Sequence, residues 1–211
     1  MRSANIKNRE RGLSFIVISL CLLAQLAAVA SAQNQAESEP RYEELPNFHQ
    51  VNAKLYRGGQ PRTEGGIRRL AALGVKTIIN LRDDDERARA EGQEAQAAGL
   101  RYVNIPFGRL GPPTDEQVER VLSLIDAVES GLVFVHCKRG ADRTGTVIAI
   151  YRIEHDGWTS EQAKEEAKRY GLGFWQRGMK DYIHNYYRDR RAPHANPPPP
   201  GRPEQGTLPF S

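Results

Sequence analysis

The stretch that most constrains this chain is LVFVHCKRGADRTGTVIAIYRIEH, residues 132–155. In it an apolar run of strand length passes through one short polar turn into a helix with an apolar face. A strand that apolar is buried on both faces, so helices must cover it on both sides. The middle of the chain repeats the theme. AKLYRGG is a short strand candidate, Thr63 is placed to cap a helix bearing Ile67, Leu70 and Leu73, and Gly74 stops that helix before VKTIINL, a buried strand. Asp83 to Asp85 open a polar helix that runs through Ala98 to Gly99, and LRYVNIPF follows as a strand. Thr114 and Gln117 form a capping-box pattern for a helix carrying Val118, Val121, Leu122 and Ile125, ended by Gly131. After the helix containing Ile148 come TSEQAKEEAKRYG, capped by Thr159 or Ser160, and an amphipathic segment around Met179, Tyr182 and Ile183. Strands alternating with helices predict an α/β fold with a compact, central, mostly parallel sheet flanked by helices and ligands at the carboxyl ends of the strands.

The two ends read differently from the middle. Residues 1–32 carry Arg2, Lys7, Arg9 and Arg11, then an apolar run from Phe15 to Ala30, then Ala30-Ser31-Ala32, which is the layout of a secretory signal peptide cleaved after Ala32. An uncleaved membrane anchor is the other reading, although the run is short for a full span. Residues 33–47 read as a polar linker, 48–191 as a single domain, and 192–211 as a disordered proline-rich tail. The expected location is therefore exported, periplasmic or secreted, with no stable membrane insertion once the signal is removed. Losing residues 1–32 takes away four basic residues and one acidic one, so the net charge of +4 falls to +1. The basic balance belongs to the leader and gives no sign of nucleic-acid binding. The chain is expected to be a monomer.

Only Cys21 and Cys137 occur, and Cys21 lies inside the apolar run. A single remaining thiol in an oxidising compartment points to a reactive group rather than a bridge. Cys137 ends the apolar strand and enters a loop that closes on a helix N-terminus, where several backbone N–H groups converge. Gly140 supplies the conformational freedom for such a cradle, which suits a tetrahedral oxyanion. Arg143, in the first helical turn, can place its guanidinium fork on two phosphate oxygens. The same donors lower the thiol pKa, making Cys137 a nucleophile. The Thr144 hydroxyl can donate to the sulfur when it leaves, and His136 can hold the loop backbone in a supporting role.

Residues 136–143, HCKRGADR, carry His-Cys, five residues, then Arg, and RTG follows. In this the chain resembles the cysteine-dependent protein tyrosine phosphatases of the dual-specificity branch. LYRGGQP, GVKTIINLR and IPF look like the leading segments of compact bacterial and fungal members, and the resemblance covers roughly residues 48–188. It implies a dual-specificity-phosphatase-like fold, a phosphocysteine intermediate on Cys137, no metal and no cofactor. It also implies a substrate-binding loop formed by Lys138, Arg139, Gly140, Ala141, Asp142 and Arg143. The implied substrate is a phosphorylated protein, or a phosphoinositide or inositol phosphate, since Lys138 and Arg139 add cations that lipid and inositol phosphatases of the superfamily often carry. Many relatives take the general acid from an aspartate on a mobile loop before the cysteine. Asp115 is the candidate there, although as a helix-start residue it also suits the helix dipole. Asp142 is the favoured donor, because some phosphoinositide phosphatases, including myotubularins, carry an aspartate at this loop position. A catalytically silent phosphate-binding module and a rhodanese-type sulfur transferase are the readings from other classes.

Overall fold

In the computed structural model, which describes residues 42–63, 65–108 and 111–191, the apolar run Leu132–Cys137 (β5) lies in the middle of a five-stranded sheet. It pairs in parallel with Leu55–Gly59 (β2) on one side and Val75–Asn80 (β3) on the other. Arg101–Asn104 (β4) continues the sheet in parallel beyond β3. His49–Asn52 (β1) closes the other edge antiparallel to β2. The mostly parallel sheet matches the expectation from sequence. The edge strand β1 carries no apolar alternation, so its sequence HQVN gave no strand signal.

Among the described residues six helices cover the two faces. Gly66–Ala72 (α1) and Glu86–Ala97 (α2) lie on one face, where Ile67, Leu70 and Ala95 pack with Val75, Ile78 and Phe134. Asp115–Asp126 (α3), Asp142–His155 (α4), Ser160–Arg169 (α5) and Arg177–Arg191 (α6) lie on the other, over Ile79, Val133, Val135 and Cys137. Side chains alternate along a strand, so β5 sends Cys137 to the α3–α6 side. Its neighbours Phe134 and His136 go to the α1–α2 side, where their rings stack 5.4 Å apart. That alternation separates the thiol from the histidine next to it in sequence.

The caps follow sequence chemistry with a few shifts. Thr114 and Thr159 each form a full capping box, with Gln117 and Gln162, and Asp85 caps α2 by accepting from the Ala88 N–H. The expected cap at Thr63 is instead Gly65, which has no side chain to bond the helix start. The α3 helix stops at Asp126, and a 3-10 turn, Val128–Ser130, fills the gap to Gly131. The strand expected over LRYVNIPF is shorter, ending at Asn104, although the N–H groups of Ile105 and Phe107 still donate to Asn80 O (2.9 Å) and Leu81 O (3.2 Å). Residues 42–47, expected in the linker, belong to the folded body, with Leu45 only 2% exposed among the α1–α2 face residues. The expected signal peptide, the remainder of the linker and the tail lie outside the described residues. Among the described residues no helix is long and apolar enough to cross a membrane.

Candidate active site

The turn between β5 and α4 is shaped from outside. Asn47 Nδ2 donates to the carbonyls of Arg139 (3.2 Å) and Gly140 (3.0 Å), Arg57 Nη2 donates to Gly140 O (3.0 Å), and the Gln60 N–H donates to Lys138 O (3.3 Å). In a planar trans peptide C=O and N–H point in opposite directions. Holding the carbonyls of 138, 139 and 140 outward therefore turns the N–H groups of 139, 140 and 141 inward, as an anion cradle requires. Gly140 makes the fit possible. Its φ is 70°, and a Cβ there would come within 2.5 Å of Gly59 N in β2.

Arg57 carries much of this support. It is 1% exposed and stacks over the Tyr170 ring at 4.3 Å. Burial pushes its pKa down to about 10, opposed by the charges of Glu166, Tyr170 and Cys137, so it remains a cation at neutral pH. Arg143 is held across the ends of two strands, its Nη1 donating to Leu81 O (3.2 Å) and Phe107 O (3.5 Å). Burial pushes the Cys137 thiol pKa up, yet the Thr144 hydroxyl and N–H, the Arg143 charge and the Arg139 N–H together hold it below the ordinary thiol value. Thr144 Oγ1 is buried with no oxygen or nitrogen partner, and the group it faces is the Cys137 sulfur.

Behind the strand lies a second network. His136 Nε2 is 2.7 Å from Glu91 Oε1, with both side chains buried. The approach lacks the geometry of a straight hydrogen bond, so the pair is a close polar contact. His136 Nδ1 lies 3.4 Å from Cys137 O, so both ring nitrogens face oxygen atoms. Glu91 Oε2 accepts from Gln60 Nε2 (3.0 Å), Gln60 Oε1 accepts from Arg82 Nη1 (2.8 Å), and Arg82 pairs with Asp85 (2.7 Å).

Cys137, Arg139, Gly140, Ala141, Asp142, Arg143 and Thr144 thus meet in one turn, with Lys138 and Arg139 exposed on its outside. Asp142, the favoured acid, has both oxygens engaged: Oδ2 accepts from Arg139 Nη2 and Oδ1 accepts from the Gly173 N–H at 2.8 Å. That arrangement makes it a carboxylate clamp between the turn and the segment after α5. Asp115 stands apart at the exposed start of α3, where Oδ1 accepts from Tyr182 Oη of α6 at 2.7 Å. Asn47, Arg57, Gln60 and Glu91 were not singled out from sequence. The available signals were a lone cation within a buried strand for Arg57, and for Glu91 a carboxylate in the small-residue stripe formed with Ala88, Gly92 and Ala95 on α2.

Known proteins fit this geometry. A family described as PTP-NADK, "DSP-PTPase phosphatase fused to NAD+ Kinase", matches residues 20–183. The dual specificity protein phosphatase TpbA of Pseudomonas aeruginosa is 37% identical over 128 residues, covering 60% of this chain. The chain spans 56% of the length of that relative. The inositol diphosphatase DSP5 of Arabidopsis thaliana is 30% identical over 145 residues, covering 64% of this chain and 67% of its own length. The crystal structure of P. aeruginosa TpbA superposes with a TM-score of 0.59 at 29% identity, covering 75% of this chain and 96% of that one.

Proposed function

This chain belongs to the DSP-PTPase phosphatase family, and on that premise we propose that it hydrolyses phosphate monoesters on a phosphorylated protein through a phosphocysteine on Cys137. The observation that carries the proposal is the thiol held below its ordinary pKa within a turn whose N–H groups face inward, beside Arg143. Cys137 Sγ attacks phosphorus in line with the ester oxygen. The P–O bond breaks, the leaving oxygen takes a proton from a carboxylic acid, and Arg143 and the loop N–H groups hold the three equatorial oxygens. Water then attacks phosphorus as the carboxylate takes its proton, the P–S bond breaks, and Thr144 receives the sulfur as a thiolate. Inorganic phosphate leaves.

We assign the proton to Asp115 rather than Asp142, reversing the preference read from sequence. Both Asp142 oxygens are already engaged, by the Arg139 guanidinium and the Gly173 N–H, which leaves neither aimed at a leaving oxygen. Asp115 is exposed at the end of the Gly111–Pro113 segment, whose Pro112 lies against Gly178 of α6. A second reading, an inositol phosphate or phosphoinositide substrate, is supported by the exposed Lys138 and by the Arabidopsis relative. The pairing of Arg139 with Asp142 leaves the turn fewer free cations for such a ligand. An exported setting, supported by the layout of residues 1–32, completes the proposal.

The test is hydrolysis of a small aryl phosphate by the purified protein. Vanadate should block it, Cys137→Ser should abolish it while phosphate still binds, and Arg143→Ala should weaken both. Substantial turnover by Cys137→Ser rejects the phosphocysteine.

A further inference from the structure

Among the described residues three large apolar side chains are exposed, Val128 and the adjacent Phe174 (82%) and Trp175 (57%). Val128 precedes β5, at the opposite end of the sheet from the phosphate turn. Phe174 and Trp175 follow α5 on the same side as the turn, and their rings meet edge to face at 4.9 Å. The segment bearing them is pinned. The Gly173 N–H donates to Asp142 Oδ1 at 2.8 Å, Asn47 Nδ2 donates to Tyr170 O at 3.1 Å, and Lys180 Nζ donates to Phe174 O at 3.0 Å. A Cβ on Gly171 would touch the Cβ of Ala141 at 3.3 Å, and one on Gly178 would touch Pro112 at 3.1 Å. The aromatic pair therefore starts one residue from a direct bond to the phosphate turn, and its segment runs on to the Gly111–Pro113 segment ahead of Asp115.

Exposed aromatic rings gain nothing from water, and a segment bonded this closely to the turn holds them in place rather than letting them fold inward. We propose that Phe174 and Trp175 form an aromatic wall at the mouth of the site that receives the ring of a phosphotyrosine side chain, with Asp142 as the positioning residue that tethers the wall. The ring of such a substrate begins one ester oxygen from phosphorus, so it must sit at this rim when the phosphate is in the cradle. Phosphoserine presents no ring there, and the ring of an inositol phosphate is a saturated, hydroxyl- or phosphate-bearing carbocycle with no aromatic face. The inference rests on the phosphatase reading and names its substrate class.

The test compares a phosphotyrosine peptide, its phosphoserine counterpart and inositol hexakisphosphate on wild type, Phe174→Ala/Trp175→Ala and Trp175→Phe. The double variant should raise KM for the phosphotyrosine peptide about three- to tenfold, the scale of lost aromatic contacts, with kcat and the phosphoserine rates within about twofold. Trp175→Phe should restore most of the loss. Equal losses on all substrates, or wild-type preference for inositol hexakisphosphate, overturn the wall. So does binding to anionic vesicles that the double variant loses while its peptide kinetics stay unchanged, since the pair then serves a lipid surface. Absence of hydrolysis of any substrate by wild type would instead reject the phosphatase reading itself.

Discussion

Replacing Glu91 by alanine tests whether the network behind β5 sets the state of the thiol in front of it. Glu91 is 4% exposed and its partner His136 0%, so the substitution leaves the imidazole buried with no acceptor at Nε2. Leaving a buried polar group without its partner costs about 1–3 kcal/mol. Against a total stability of about 5–15 kcal/mol, and with about 2–4 °C of Tm per kcal/mol in a domain of this size, the melting temperature should fall by roughly 2–12 °C. Gln60, which donates to the other Glu91 oxygen, is half-buried and can turn to water, so it adds little. The chemical consequence has a definite sign. Without Glu91 the His136 ring loses its anchor beside the Cys137 carbonyl, the turn loosens, Thr144, Arg143 and the Arg139 N–H converge less closely on the sulfur, and the thiol pKa rises. Circular dichroism melts give the first quantity, and the pH dependence of iodoacetamide alkylation at Cys137, followed by peptide mass spectrometry, gives the second. A Glu91→Gln variant, which keeps an acceptor of the same shape, should recover much of both the melting temperature and the alkylation midpoint. A Tm loss under about 2 °C in Glu91→Ala, together with an unmoved midpoint, refutes the argument.

Three further outcomes follow from the geometry. Thr144→Val removes the hydroxyl facing the sulfur, so the alkylation midpoint of Cys137 should move up in pH, and breakdown of the phosphocysteine should become the slow step in burst kinetics. Gly140→Ala should abolish activity and lower stability by several kcal/mol. The matched change Gly99→Ala, at φ 75° with nothing within 4 Å, should cost only about 1 kcal/mol and leave turnover intact, so equal effects would reject the close-approach account. Asp115→Asn should slow hydrolysis of a poor alkyl leaving group roughly a hundredfold and an activated aryl leaving group much less, while Asp142→Asn should not show that selectivity. The reverse pattern returns the acid to Asp142.

What was legible in the sequence, and what was not, divides along a physical line. The α/β order, the central strand and the capping boxes at Thr114 and Thr159 are written in local periodicity and cap chemistry. The turn from Cys137 to Thr144 was legible for the same reason, because the proposed nucleophile, cradle and anion-binding arginine follow one another along the chain. The residues that hold the turn are scattered. Asn47, Arg57, Gln60 and Glu91 come from the segment before β1, from β2, from its exit and from α2, and they converge only because β2 and β3 flank β5. The bonds by which Asn47 and Arg57 hold the turn, and the one that joins Gln60 to Glu91, reach partners more than thirty residues away, which no local pattern records. Asp142 shows how the distinction matters. Its place beside Arg143 in sequence suggested chemistry, whereas its bonds to Arg139 and Gly173 make it a clamp on the segment that bears Phe174 and Trp175. A polar residue's neighbours in sequence show what it could do. The bonds it makes after folding decide which of those roles remains open to it, and for Asp142 both carboxylate oxygens are already held.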